Sequence, residues 1–203
     1  LEHNQINFAS ATPEPSIFTI ASFKHYLNYV LDRDQGYAFG YQESNGYEPL
    51  RESLCQYLKR HQKLEVSPNS IQIVSGAQQG IDIIGKTLLG SGDCVFVENP
   101  TYTGALAVFK SRDVLIKGIS LEEDGLNFSE LEAALLTVRP KLLYVMTKYQ
   151  NPSTVTYSLK KMKRLIELAQ LYDFYIVEDD SMSELNYEPD ASNISFKSLD
   201  QNE

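Results

Sequence analysis

The chain has 203 residues, 42% hydrophobic and 22% charged, with 11 Gly and 8 Pro, a balance that buries a core and excludes disordered and fibrous classes. Its 18 basic and 27 acidic residues leave a net charge of -9, and no Lys/Arg cluster stands out as a patch that could neutralise a phosphate backbone, which argues against direct nucleic-acid binding by this segment. Only Cys55 and Cys94 are present, His3, His25 and His61 lack metal-ligand spacing, and no apolar run nears the roughly 18 residues that cross a bilayer, so a soluble, cytoplasmic protein without membrane or metal is expected.

After an irregular entry marked by Pro13 and Pro15, the apolar residues Ile20, Phe23, Leu27, Val30 and Leu31 follow helical spacing, with Thr19 as cap and an end near Gly36. A loop rich in Gly, Tyr and Ser over 36–47 leads to Pro49 at a helix start, with Leu50, Leu54, Tyr57 and Leu58 on one face. Short β-branched or aromatic runs at 71–74, 94–97, 114–116, 142–146 and 174–177 predict strands, with helices over about 77–89, 102–111, 129–137 and 158–172. Ser129 with Glu132 reads as a capping box, and Ser158 as the cap of the last of these helices. Strand and helix alternate, which predicts an α/β three-layer sandwich with a mainly parallel sheet built from right-handed crossovers.

In such a sheet a ligand sits outside the carboxyl ends of the strands. After 71–74 comes Ser75-Gly76-Ala77-Gln78-Gln79-Gly80, small and polar, and the free N–H groups of a helix start suit a phosphate. After 94–97, Glu98-Asn99-Pro100-Thr101-Tyr102 brings an aromatic ring to another helix start, where it can stack on a planar ligand or pack half-buried. After 142–146, Gln150-Asn151-Pro152-Ser153 supplies the Asn151 amide on backbone held extended before proline. After 174–177 stand Glu178, Asp179 and Asp180, which repel one another unless a cation or protonated base is near. Alone, each stretch is also compatible with an ordinary turn or a solvated acidic loop. Together they describe a pocket for a phosphorylated aromatic heterocycle with a basic ring nitrogen.

These four stretches, in this order and spacing, resemble the pyridoxal 5′-phosphate (PLP) enzymes of fold type I, the class I/II aminotransferases, from about Phe8 to Asp200. The segment from Gly40 to Arg51 resembles the same family's Y-x-x-x-x-G-x-x-x-L-R element. The resemblance implies that the backbone N–H groups of Ala77 and Gln78 hold the phosphate and that Tyr102 stacks on the pyridine ring. It further implies that Asn151 donates to the phenolic oxygen and that Asp179 pairs with the pyridinium nitrogen, which makes the ring an electron sink. Tyr41 would reach the phosphate of a neighbouring subunit, implying a homodimer. On this reading residues 1–40 form an N-terminal arm and helix, and 41–203 an incomplete PLP-binding large domain.

The wording from Gln150 to Ser158 and from Glu178 to Tyr187 is most similar to the aminotransferase-like domains of GntR/MocR-type transcription regulators. In that family a separate winged helix-turn-helix module binds DNA and this domain senses PLP or an amino-acid adduct of it. The residues leave two functions open: the effector and dimerisation half of such a regulator, or a PLP-dependent aminotransferase acting on amino acids. The start at Leu1-Glu2-His3, without Met, points to a piece of a longer chain. The family's Schiff-base lysine is expected beyond Glu203, with Lys197 in the turn that precedes it, so the segment by itself should not transaminate and should hold cofactor weakly or not at all. Apolar surface left exposed would favour self-association. Two departures stand out: Thr154 where the family has Gly, and Ser181-Met182 where a Tyr commonly follows the acid pair.

One motif points elsewhere. Gly80-Ile81-Asp82-Ile83-Ile84-Gly85-Lys86-Thr87 satisfies G-x-x-x-x-G-K-[ST], the pattern of an ATP-binding P-loop. Its three isoleucines suit a packed helix rather than a phosphate loop, so it reads as coincidental. Gly90-x-Gly92 lacks a third Gly and precedes a strand, and is no dinucleotide fingerprint.

Overall fold

The structure is a computed structural model describing residues 14–185 and 194–200. Pro13, His3, the Phe8 end of the family resemblance and the Tyr187 end of the regulator-like wording lie outside the described residues. The chain divides into two compact units, Leu1–Glu43 and Ser44–Glu203.

In the first unit a 3-10 turn at Pro15–Ile17 precedes α1 (Ile20–Asp34), followed by a 3-10 segment at Gln35–Phe39. Thr19 holds the cap position, but its side chain makes no cap bond. The apolar stripe of α1 leaves Ile20, Phe23 and Leu27 exposed, with only Val30 and Leu31 half-buried.

The second unit opens with α2 (Glu48–Gln62), which carries Pro49 in its first turn, where the missing N–H costs no helix bond. Its expected face is half-buried at Leu54 and Leu58 and exposed at Leu50 and Tyr57. The fully buried residue is Arg51, whose guanidinium donates to the Gly46 and Pro68 carbonyls and braces the loop before the helix. The strand expected at 71–74 is extended but joins no sheet. A ladder needs a neighbour exchanging main-chain bonds, and here Ile73 N–H finds only the Asn45 carbonyl and the Gln72 amide the Ser44 carbonyl.

Then follow α3 (Ala77–Leu88), β1 (Cys94–Asn99), α4 (Thr103–Ser111), β2 (Leu115–Glu122), β3 (Gly125–Leu126), α5 (Phe128–Leu135), β4 (Leu142–Val145), α6 (Leu159–Tyr172), β5 (Tyr175–Glu178) and the short α7 (Phe196–Leu199). The sheet order is β3-β2-β1-β4-β5, parallel throughout except for β3, which pairs antiparallel with β2. The expected α/β class with a mainly parallel sheet therefore holds. Ser158 caps α6, accepting from the Lys161 N–H, as its position predicts. The Ser129/Glu132 box does not form: the cap lies two residues earlier, at Asn127, which accepts from the Glu130 N–H and leaves Ser129 inside the helix.

Strand side chains alternate between faces, and the sheet buries both. Val95, Val97, Leu142 and Tyr144 pack with Ile81, Ala105, Val108 and Phe109 of α3 and α4. Phe96, Leu143 and Ile119 pack on the other face with Leu131, Met162, Leu165 and Leu168 of α5 and α6. Each such side chain contributes roughly 1.5–3 kcal/mol on burial. In register, Val97 stands beside Tyr144 and Tyr144 beside Val177. The same alternation decides where the polar residues at the strand ends point. Among the described residues no helix is long and apolar enough to cross a membrane.

Candidate functional site

The carboxyl rim of β1, β4 and β5 gathers most of the residues singled out from the sequence. Gly76 precedes α3 with φ 104, a left-handed conformation open to glycine, and gives the helix no side-chain cap. The N–H groups of Ala77 and Gln78, both exposed, have no acceptor among the described residues, so the positive end of α3 is open to an anion.

Tyr102 stands beside this helix start. Its hydroxyl donates to Gln78 Oε1 at 3.3 Å, while Gln78 Nε2 donates to the Gly104 carbonyl at 3.0 Å, joining the starts of α3 and α4. The close approach depends on Gly104: a Cβ there would lie 2.4 Å from Cζ of Tyr102. The ring is half-buried and, like Val177, packs against the cluster that contains Tyr144.

The three consecutive acids occupy three different environments. Glu178 turns to the α6 face, accepts from Thr147 Oγ1 and from the Phe196 N–H, and is raised above the usual carboxylate range by burial. Asp179 turns to the α3/α4 face: Oδ2 accepts from the Tyr144 hydroxyl at 2.6 Å and Oδ1 from the Ser181 N–H at 3.2 Å. Burial also raises Asp180. Repulsion persists along the chain, Asp180 acting on Glu178 and Asp179 on Asp180, with the Lys148 charge partly offsetting it at both, and no cation pairs with Asp179 among the described residues. Tyr144 is the link between Asp179 and Tyr102. Burial first, then the charge and hydrogen bond of Asp179, push its hydroxyl far above its ordinary value, so it remains a donor.

Asn151 is exposed on the turn after β4, next to Gln150, which is buried and donates to the Pro100 carbonyl at 2.8 Å. The turns bearing Asn151 and Tyr102 are therefore in contact. Thr154 has φ 65, so the position where the resemblance expects Gly is a left-handed one occupied by a β-branched residue. Tyr41 lies in the first unit with its side chain fully exposed. Lys197 is exposed on α7.

The P-loop alternative fails on geometry. Gly80 to Thr87 lie inside α3, Lys86 pairs with Asp82 one turn back at 2.6 Å, and Thr87 Oγ1 donates to the Ile83 carbonyl. A helical interior presents no N–H groups to a phosphate.

Two residues of this rim carry more than their sequence context indicated. Tyr144 sits in an apolar run, yet a buried tyrosine hydroxyl needs a partner, and that need was the available signal. Glu98 is the last buried residue of β1, at 1% exposure, and burial pushes its carboxyl up to about 7.

Fit to a PLP-like group rests on the chain's own unmet polar groups. The α3 start offers two free N–H groups, Asp179 has no cation, and Thr101 Oγ1 beside Tyr102 is buried without a partner among the described residues. These residues fit the phosphate, the ring nitrogen and the ring face of such a group.

Comparison with known proteins identifies the family. The family model described as aminotransferase class I and II matches residues 1–200. The aromatic-amino-acid aminotransferase 1 of Thermococcus litoralis is 35% identical over 90% of this chain and 45% of its own length. The uncharacterized HTH-type transcriptional regulator YdfD of Bacillus subtilis is 33% identical over 83% of the chain and 34% of its own. The solved structure of Pyrococcus horikoshii kynurenine aminotransferase, in complex with PMP, superposes with a TM-score of 0.88 at 33% identity, covering 95% of this chain and 48% of that one. The chain thus spans half or less of the length of these relatives. With its parallel sheet, its polar rim and a model match across nearly every residue, the chain belongs to the class I and II aminotransferase family.

Proposed function

We propose that the chain is the PLP-binding portion of an aminotransferase-like effector and dimerisation domain in a GntR/MocR-type regulator. The observation that carries the reading is the half-buried Asp179 carboxylate, held by Tyr144 without a cation, on the sheet face that also bears Tyr102. The N–H groups of Ala77 and Gln78 bind the phosphate, Tyr102 covers one face of the ring, Asn151 donates to the phenolic oxygen, and Asp179 holds a proton on the ring nitrogen. When bound, PLP supplies a protonated ring that accepts electron density. Tyr41 of one protomer serves the phosphate of its partner in a homodimer, and the effector is a small amino acid or its PLP adduct. DNA is contacted through a separate N-terminal module, in the cytoplasm.

The HTH-type relative supports the regulator reading, as does Ser181-Met182 in place of the Tyr of the resembling enzymes. The 35% identity to an aminotransferase supports a second reading, a PLP-dependent enzyme acting on amino acids. Titrating PLP into the protein that carries this chain tests both: a saturable visible band is expected, weakened about 100-fold or more by Asp179→Ala. Equal affinity in that variant removes the pocket assignment. Turnover with an amino-acid donor and a 2-oxo acid acceptor selects the enzyme; effector-dependent DNA binding without turnover selects the regulator.

A further inference from the structure

Glu98 lies on the sheet face opposite Tyr102 and Asp179, packed toward Tyr157 and α6, and so does not line the pocket. Its carboxylate nevertheless accepts three hydrogen bonds. Oε1 accepts from the Tyr157 hydroxyl at 2.8 Å and from the Met146 N–H at 3.2 Å, and Oε2 accepts from Gln150 Nε2 at 3.0 Å. The same Gln150 nitrogen donates to the Pro100 carbonyl at 2.8 Å, and Gln150 Oε1 accepts from the Ser153 N–H at 2.8 Å and the Ser153 hydroxyl. Glu98 and Gln150 are each 1% exposed. A buried network of this kind is either fully satisfied or strongly unfavourable, and this one is satisfied.

We infer that Glu98 is a positioning residue: acting through Gln150, its carboxylate ties the turn bearing Tyr102 to the turn bearing Asn151 and sets the distance between two walls of the pocket. The consequence for cofactor rests on the PLP reading above; the tie itself does not. The donor order explains the residue types. Gln150 must spend its amide N–H groups on Glu98 and Pro100 because its oxygen is engaged by Ser153, so an acceptor is required at position 98. In Glu98→Gln an amide N–H must face either the Gln150 nitrogen or the donors Tyr157 and Met146. Exchanging the pair, Glu98→Gln with Gln150→Glu, restores complementarity between the two side chains and keeps an acceptor for Ser153, at the cost of setting a carboxylate oxygen against the Pro100 carbonyl where Gln150 Nε2 now donates.

Hydrogen exchange on the protein that carries this chain, read without added PLP, tests the tie. Glu98→Gln should speed exchange about tenfold or more over 99–104 and 150–156 while leaving 165–178 unchanged. The exchanged pair should recover part of that protection, since it restores the bond between positions 98 and 150 and not the one to Pro100. Gln150→Ala cuts the link from the other end and must loosen the same two segments, which keeps the test available if Glu98→Gln does not fold. Unchanged exchange in both turns overturns the inference, and so does acceleration spread evenly through 165–178, since that marks a merely structural residue. With PLP added, the visible circular dichroism of the bound cofactor should weaken in Glu98→Gln and return in part in the exchanged pair; a signal unaltered by Glu98→Gln also overturns it. If the wild-type protein fails to bind PLP, the cofactor reading is what falls, and the exchange data still judge the tie.

Discussion

The Tyr144 hydroxyl donates to Oδ2 of Asp179 over 2.6 Å, across two neighbouring parallel strands whose register sets Tyr144 beside Val177. Asp179 is thereby held at the strand end by a neutral donor rather than a cation, which leaves its charge for a ligand. Replacing Tyr144 by Phe keeps the ring and deletes the donor. A hydrogen bond to a charged acceptor contributes about 1.5–3 kcal/mol, so PLP affinity should fall about tenfold or more, less than in Asp179→Ala. Titration of both variants checks the order; equal affinity in Tyr144→Phe and wild type contradicts it.

Glu98 predicts a dependence of stability on pH. Burial lifts its carboxyl from 4.5 to about 7, against the pull of Gln150, Tyr157 and Met146. Tyr157 faces it directly, and the nearest charge acting on it is that of Asp179 across the sheet, so no cation offsets the burial. Below the unfolded value the carboxyl is neutral in both states and carries no penalty. As pH rises toward about 7 the unfolded chain ionises first, so the native state binds more protons and stability declines, by on the order of 3 kcal/mol across the window. Glu178 and Asp180, also raised, act with the same sign. Urea unfolding at pH 5 and pH 8 should show the difference between the two shrink in Glu98→Gln; an undiminished difference assigns the slope to other groups.

Thr154 is a β-branched residue at φ 65, in a turn whose resembling proteins carry glycine. Such a conformation costs on the order of 1–3 kcal/mol, part of which glycine gives back as unfolded-state entropy. Thr154→Gly should therefore stabilise by about 1 kcal/mol, a rise of roughly 2–4 °C in Tm. Thermal unfolding checks this, with Thr154→Ala as the control that should gain much less.

Gly104 marks where two helix starts meet. A methyl group at that position would stand 2.4 Å from both Tyr102 Cζ and Gln78 Oε1. Gly104→Ala must displace the Tyr102 ring, at a cost of about 1–3 kcal/mol in stability. PLP affinity should fall as well, because the ring that covers the pocket moves. Calorimetry together with a PLP titration reads both; a variant with wild-type values for each contradicts the packing.

The helices over 77–88 and 159–172 and the strands beginning at Cys94 and Leu142 were legible in the sequence because periodicity and capping are local properties of the chain. That Tyr102 and Asp179 lie at one edge follows from a parallel sheet, which brings the carboxyl ends of β1 and β5 together; the α3 start with Ala77 and Gln78 follows no strand and reaches Tyr102 through the Gln78 side chain. Besides the Thr19 cap, whose side chain makes no cap bond, two local expectations failed for nonlocal or competing reasons. The 71–74 run lacked a neighbouring strand, and Asn127 reached the Glu130 N–H in place of the Ser129 box.

The order β3-β2-β1-β4-β5 and the polar partnerships were decided only by tertiary structure. Gln150 meets Glu98 from 52 positions away and Tyr144 meets Asp179 from 35, distances over which composition and spacing carry no pairing information. Burial makes each partner obligatory, but only the packing of the sheet's two faces determines which partner it is.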